Sequence, residues 1–170
     1  LTEFNHEKAI SLNSFSVPPI QYLSIKNSNL STSRFTDLQF KPGGLIIFLL
    51  DKEQDKILSY SLTTAYNINT IDYTTEKSKS LNSSNLSFAE PSAMDFNSNG
   101  SKLYIVDRVQ NQIVEYTLVT PYDISTMSRK DNFLQHTTKL ISIEDGFISP
   151  DGKYYYTLEV PSIRILKPSE

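Results

Sequence analysis

Apolar residues in this chain fall into short runs that polar, turn-forming residues separate. The two most apolar runs, at residues 47–50 and 103–106, are continuous and consist of aromatic and aliphatic side chains. A continuous run of this length, bounded by turns, predicts a β-strand that is covered on both faces. Helical spacing is poor throughout. The one candidate helix, residues 51–57, lies between two predicted strands, so we assign it to a hairpin and predict no substantial helix.

Segments of a second kind alternate between apolar and polar residues. In one of them, residues 113–118, the polar positions are Glu115 and Thr117, and the corresponding segment carries Ser59 and Ser61. Period-two alternation predicts a strand with one face in water. We therefore place this third strand nearer the edge of its sheet than the continuous runs.

These segments recur because the chain contains an internal repeat. Sliding the sequence by 56 positions aligns residues of the same type without a gap, among them Phe40 with Phe96, Gly44 with Gly100, Asp51 with Asp107, Tyr60 with Tyr116, Leu62 with Leu118 and Tyr66 with Tyr122. A repeat of about this length is typical of architectures in which each unit is one supersecondary element. The repeat predicts a single region over residues 1–170, with full units at 29–84 and 85–142 and partial units at 1–28 and 143–170.

Each full unit predicts four strands in succession. A short first strand, residues 93–96 in the second unit, leads into a turn that ends at Gly100, whose counterpart in the first unit is Gly44. Glycine supplies the positive φ that such a turn requires. After the second and third strands, Ser- and Thr-rich segments at residues 71–81 and 133–142 are predicted to be the outer strands.

The strand order within a unit indicates the fold class. A four-stranded antiparallel meander with a dry second strand and a polar outer edge is typical of one blade of a β-propeller. We therefore predict an all-β chain of about three such units. A single unit keeps its apolar strand out of water only when another sheet packs against it.

Two sequence motifs resemble known propeller repeats. The turn Ser149-Pro150-Asp151-Gly152-Lys153, which aromatic residues follow, resembles the turn of WD40-like and lactonase-like repeats. Residues 116–126 resemble a propeller repeat that is common in marine bacterial and phage sequences. The resemblance is looser in the first unit, where Asn67 and Asn69 replace an Asp and a Ser. It implies a propeller with a display or binding role and carries over no catalytic residue.

Composition narrows the choice of partners. The chain is 38% hydrophobic and 21% charged, as is typical of a folded globular protein, and its net charge is −3. We predict no nucleic-acid partner, because the sequence contains no Lys/Arg cluster. The lack of cysteine excludes disulfides and thiolate chemistry. The longest apolar run, residues 45–50, is too short to span a bilayer.

The carboxylates invite a metal-site interpretation and a structural one. Asp51 and Asp107 recur at the end of the second strand. They could be ligands for a cation at the rim, or they could accept hydrogen bonds from backbone N–H groups in a turn. Their recurrence in each full unit favours the turn. A calcium site at Asp145, Asp151 and Glu159 would match no EF-hand or nonapeptide spacing. We predict no metal, no cofactor and no catalytic residue, and we assign these residues to structural turns: Gly44, Asp51, Gly100, Asp107, Asp151 and Gly152.

Histidines and tyrosines are the remaining candidates. His6 and His136 lack a second imidazole or a carboxylate at ligand spacing, and the sequence contains no Gly-x-Ser-x-Gly motif. Most tyrosines recur in register and are predicted to pack between sheets. The cluster Tyr154, Tyr155 and Tyr156 must place at least one ring on each face of a strand, so we predict a binding surface there, for which carbohydrate is one candidate ligand.

Together these features favour a non-enzymatic structural, adhesion or protein-binding module. The resemblance favours a phage virion, as a tail or decoration protein, or a cell-surface assembly, and hence an extracellular, cell-surface or virion location. A propeller enzyme of lactonase or phytase type and a secreted ligand-binding propeller are the alternatives. Three units are too few for a closed ring of about four to eight blades. We therefore expect a longer protein, other copies of the chain or a protein partner to complete the propeller.

Overall fold

The fold consists of antiparallel strands joined by tight turns. The computed structural model describes residues 32–83, 87–130, 143–159 and 162–166. The strands are β1 Phe35–Phe40, β2 Ile46–Asp51, β3 Lys56–Leu62, β4 Ile71–Ser80, β5 Pro91–Phe96, β6 Lys102–Asp107, β7 Gln112–Leu118, β8 Met127–Arg129, β9 Ile143–Ile148, β10 Tyr155–Glu159 and β11 Ser162–Leu166. Within the described ranges, the only helical elements are the single 3₁₀ turns Ile68–Thr70 and Ile124–Thr126.

The strands form three separate sheets, each of which is an antiparallel meander. The first sheet has the order β1-β2-β3-β4, the second β5-β6-β7-β8, and the third β11-β10-β9. The opening strands of the sheets are neighbours, because β5 contacts both β1 and β9. The prediction of an all-β chain built from repeated antiparallel units is confirmed.

Strand register defines equivalent positions in the three sheets. The last residue of each opening strand pairs across the turn with a residue near the start of the next strand: Phe40 with Ile47, Phe96 with Leu103, and Ile148 with Tyr155. Counting from these pairs relates the first and second sheets by the 56-residue repeat seen in the sequence. The third sheet follows the second at a spacing of 52 residues, as from Gly100 to Gly152.

Apolar clusters fill the two spaces between the sheets. Phe48, Leu50 and Ile57 of the first sheet pack in one cluster with Leu103 and Ile105 of the second. A further cluster joins the second and third sheets and contains Ala93, Tyr104, Val106, Ile113, Ile143, Ile148, Tyr155 and Leu166. Full burial of each large apolar side chain contributes about 1.5–3 kcal/mol. The second strands β2 and β6 are buried on both faces, as their continuous apolar sequences predicted.

The third strands are drier than the sequence predicted. Glu115 and Ser59, which alternation placed on a wet face, are only 2% and 6% exposed. Two lysine ammonium groups lie near the Glu115 carboxylate, that of Lys102 at 3.1 Å and that of Lys130 at 3.9 Å. The prediction of a water-exposed face is therefore wrong at these positions. Their polar side chains alternate as on an edge strand, but both side chains are buried.

The outer strands of the first two sheets begin at equivalent positions of the repeat. In the first sheet, β4 matches the predicted segment closely. In the second sheet the outer strand β8 begins at Met127, 56 residues after the start of β4 at Ile71. The predicted segment 133–142 lies outside the described residues, whereas β8 is the described outer strand of this sheet. The repeat places that strand directly after the 3₁₀ turn.

Candidate functional site

Three consecutive tyrosines take three different environments in the third sheet. Tyr155 is fully buried between the second and third sheets, with its ring centroid 5.3 Å from that of Tyr104. Tyr156 faces the opposite way and stacks on Phe147, with the ring centroids 4.9 Å apart and the planes inclined by 11°. Tyr154 is half-buried just before β10. Of the predicted aromatic surface, Tyr156 is therefore the ring that lies on the outward side of the sheet.

The outward side of the third sheet carries a cluster of exposed apolar residues. Phe147 is 52% exposed, Leu158 49%, Ile163 73% and Ile165 59%. With Tyr156 they form what we call the open face. A groove of about 280 Å³ runs over it and is lined by Asp145, Gly146, Phe147, Tyr156, Thr157, Leu158 and Ile163. A concentration of exposed apolar side chains on one surface is typical of an interaction site.

The open face corresponds to the surfaces that the other sheets bury. Asp145 pairs with Leu158, Asp37 with Leu50, and Ala93 with Val106, so Leu158, Leu50 and Val106 hold the same position in their sheets. Leu50 and Val106 are 0% exposed because the following sheet covers each of them. Leu158 is left in solvent, and the open face is therefore the surface on which a following sheet would pack.

Side chains on the opening strands link adjacent sheets through backbone hydrogen bonds. The Asp37 carboxylate accepts from the N–H of Met94 at 2.8 Å, and Gln39 accepts from the N–H of Phe96 at 3.2 Å. Asp95, equivalent to Gln39, accepts from the N–H of Ile148 at 2.6 Å. Each opening strand thus receives hydrogen bonds from the one that follows. Sequence reasoning missed these acceptors because nothing in the repeat marks which face they occupy.

The electrostatics of these linking carboxylates follow from burial. Desolvation raises the pKa of Asp37, and the hydrogen bonds from Met94 and Leu38 offset only part of the effect. Burial likewise raises the pKa of Asp95. Both groups lie near the buried hydroxyl of Tyr155. Burial of this hydroxyl and the two negative charges raise the pKa of Tyr155 well above its usual value. The space between the opening strands is therefore a desolvated, acidic environment.

The aspartates at the ends of β2 and β6 accept backbone hydrogen bonds. The Asp107 carboxylate accepts from the N–H groups of four residues, Ala89, Glu90, Val109 and Gln110. Asp51 accepts in the same way from Arg34, Glu53 and Gln54. Each carboxylate ties the hairpin to the segment that precedes the opening strand of its own sheet, which is a structural arrangement.

The glycine turns also have a defined structure. Gly44, Gly100 and Gly152 all adopt positive φ values near +71°. In the third sheet, Asp151 accepts hydrogen bonds from the Ser149 hydroxyl at 2.6 Å and from the backbone N–H of Lys153 at 3.2 Å, which closes the turn.

The carboxylates weighed as a calcium site do not form a cluster. Asp145 lies on the open face, Asp151 in the turn, and Glu159 is buried beside the Thr157 hydroxyl. Among the described residues, no group of three His, Asp or Glu side chains is arranged to hold a metal ion. His6 and His136 lie outside the described residues.

A second cavity, of about 260 Å³, lies where the first and second sheets meet. Its lining includes Lys41, Tyr60, Lys77, Tyr122 and Asp123. Lys77 is paired with Asp123 at 2.9 Å, and the Lys41 ammonium lies 5.5 Å from the centroid of the Tyr122 ring. The polar groups of this cavity therefore mainly satisfy one another, and the open face is the stronger candidate site.

Comparison with known proteins identifies the fold. No protein-family model and no curated protein matches the chain. Solved structures do match: a provisional 6-phosphogluconolactonase from Bacteroides fragilis has a TM-score of 0.57 at 15% identity, covering 79% of this chain and 35% of that one. The β-propeller domain of Swd1 from Myceliophteria thermophila has a TM-score of 0.55 at 10% identity, covering 79% and 38%. The chain has a β-propeller fold.

Other propeller neighbours are equally distant in sequence. A provisional 6-phosphogluconolactonase from Bacteroides uniformis has a TM-score of 0.55 at 18% identity, and it is covered over 38% of its length by 81% of this chain. The chain therefore spans well under half of these propeller structures. At such identities the likeness shows the fold alone. Within the described residues, no helix is long and apolar enough to cross a membrane.

Proposed function

We propose that this propeller segment is a non-enzymatic structural module that binds protein through the open face. The observation that carries the proposal is the exposure of Leu158 beside Phe147, Ile163 and Ile165, at a position that is fully buried in the other two sheets. Covering apolar surface of this kind with protein lowers the free energy by about 25 cal/mol per Å² removed from water.

The similar structures support both protein binding and an alternative. Two of them are a β-propeller domain of Swd1 and a component of the mitotic checkpoint complex, the second of which is by name a protein assembly. Two others carry the name 6-phosphogluconolactonase, which supports the alternative of a propeller hydrolase. Assignment to a phage virion or a cell-surface assembly, and the extracellular location that goes with it, stays a proposal based on the sequence resemblance.

A capture experiment with matched variants tests the binding function. The immobilised wild-type chain is compared with the double variant Leu158→Glu, Ile163→Glu, using soluble proteins of the source organism. The control is Val109→Glu, Val119→Glu, which charges two exposed apolar residues in turns of the second sheet. We expect a protein that the wild type and the control retain and the open-face variant loses. Equal retention by all three would contradict the proposal.

A direct assay tests the enzymatic alternative. The chain is incubated with 6-phosphogluconolactone, and hydrolysis is followed against the spontaneous reaction. We expect no increase in rate over the uncatalysed reaction. Turnover that scales with protein concentration would contradict a non-enzymatic role and would favour the hydrolase.

A further inference from the structure

Asp145 on the open face repeats the geometry of Asp37. Asp145 lies in the opening strand β9 and pairs with Leu158, and Asp37 lies in the opening strand β1 and pairs with the equivalent Leu50. In each, one carboxylate oxygen, Oδ1, accepts from the next backbone N–H at 2.7 Å. The second oxygen of Asp37 accepts from Met94 in the following sheet. The second oxygen of Asp145 accepts no hydrogen bond from the described residues.

We propose that the open face binds a further antiparallel β-sheet of the blade type, whose opening strand donates a backbone N–H to Asp145. The inference rests on the protein-binding function and specifies the kind of partner. A sheet is the occupant because both internal interfaces of this chain already join the equivalent surfaces to sheets. The groove over the open face contains Asp145 and Leu158 side by side, so apolar contact and the carboxylate acceptor belong to one surface.

The third sheet also differs from the other two in a way that affects the partner. Gln39 and Asp95 each accept a backbone hydrogen bond from the following opening strand, but the equivalent position here is Phe147, which pairs with Tyr156. The acceptor is replaced by two stacked aromatic rings. The bound sheet therefore donates one backbone hydrogen bond to Asp145 and packs apolar side chains on Phe147 and Tyr156.

The test supplies such a sheet to the full chain. A second copy of residues 87–130, the sheet that covers the corresponding face of the first sheet, is fused after Glu170 through a flexible linker. A short flexible linker gives an effective concentration on the order of 1 mM. Because the chain contains no cysteine, Leu158→Cys places a single thiol on the open face, and Val119→Cys places one on an exposed turn as the control. The rate of thiol labelling under native conditions is the measurement.

The expected result is protection at one position only. The fused sheet should slow labelling at position 158 by about tenfold or more, because the tether keeps the sheet docked for most of the time. Labelling at position 119 should be unchanged. Adding Asp145→Ala should restore most of the rate at 158, whereas Glu144→Ala, which removes the neighbouring carboxylate that pairs with Arg108 of the second sheet, should not.

Several outcomes would overturn the inference. A fused sheet that leaves position 158 as reactive as before shows that the face does not accept it. Protection that Asp145→Ala leaves intact removes the assigned role of the carboxylate. Protection in the unfused chain that grows with concentration shows that a second copy covers the face instead. If the fused sheet fails to dock while capture still depends on the open face, protein binding stands and only the identity of the partner falls.

Discussion

At the scale of single residues, the aspartates that end β2 and β6 organise the hairpins. Asp107 is fully buried and accepts from four backbone N–H groups, two in the segment before β5 and two in the turn after β6. A buried donor that loses its acceptor costs about 1–3 kcal/mol. The carboxylate therefore joins the turn after β6 to the segment that leads into β5, and its recurrence as Asp51 reflects that same task.

Replacing this acceptor should weaken the fold sharply. We expect Asp107→Ala to lower the free energy of unfolding by about 3 kcal/mol or more, because several N–H groups lose their acceptor together. Urea denaturation at neutral pH measures the change. Asp151→Ala removes an exposed turn carboxylate and serves as the control, for which we expect a much smaller shift in midpoint. Equal losses in the two variants would contradict the role of Asp107.

The linking carboxylates should give the stability an unusual pH dependence. An acid whose pKa is raised on folding binds its proton more tightly in the folded state, so its contribution to stability falls as the pH rises from 3.8 through its folded pKa. Asp37→Asn keeps an oxygen to accept from Met94 but removes the charge. We therefore expect the free energy of unfolding of this variant, relative to that of the wild type, to be higher at pH 7 than at pH 4. Urea denaturation at the two pH values measures the difference. A difference that is the same at both pH values would contradict the desolvation of Asp37.

At the scale of elements, the turn between β1 and β2 is held by a tyrosine from the connection between β3 and β4. The backbone N–H of Tyr66 donates to the carbonyl of Gly44 at 2.9 Å, and a Cβ on Gly44 would overlap the Tyr66 ring. Tyr66 itself adopts a positive φ of 58° and packs edge-on against Phe40 at 5.3 Å. Gly100 and Tyr122 make the same contact in the second sheet, so the contact belongs to the repeat.

Two adjacent glycines allow the cost of backbone strain to be distinguished from the cost of losing this contact. Gly43 and Gly44 both have positive φ, but no atom lies within 4 Å of a Cβ built on Gly43. We expect Gly43→Ala to cost about 1–2 kcal/mol for the left-handed backbone alone. Gly44→Ala should cost clearly more, because the Tyr66 ring must move as well. Chemical denaturation compares the two, and equal losses would contradict a stabilising contact between turn and tyrosine.

The sequence predicted strands and turns well and the environments of their faces less well. Continuous apolar runs identified β2 and β6, and the repeat located the glycine turns. Alternation failed at Glu115, because a local polar pattern does not reveal that the carboxylate is buried beside two lysine ammonium groups. The role of Asp145 was equally hidden, since the third sheet follows at a different spacing and its equivalence to Asp37 appears only in the strand pairing.

At the scale of the whole molecule, the three sheets form a series in which each covers one face of the sheet before it. The stabilisation of this series is shared, because the buried side chains of β2 and β6 each depend on a neighbouring sheet. Equivalent residues therefore contribute differently to the free energy of unfolding, according to their place in the series. Leu50 and Val106 lie inside it, and Leu158 lies on its open face.

One substitution placed at these three equivalent positions tests the series. We expect Leu50→Lys and Val106→Lys to lower the free energy of unfolding by about 3 kcal/mol or more, since each buries an unpaired charge. Leu158→Lys should change it by about 0.5 kcal/mol or less, because the ammonium group stays in water. Urea denaturation of the three variants measures the difference. Were Leu158→Lys to destabilise the chain as much as Val106→Lys does, the outward side of the third sheet would have to be covered in the folded protein, and neither the open face nor the binding function could stand.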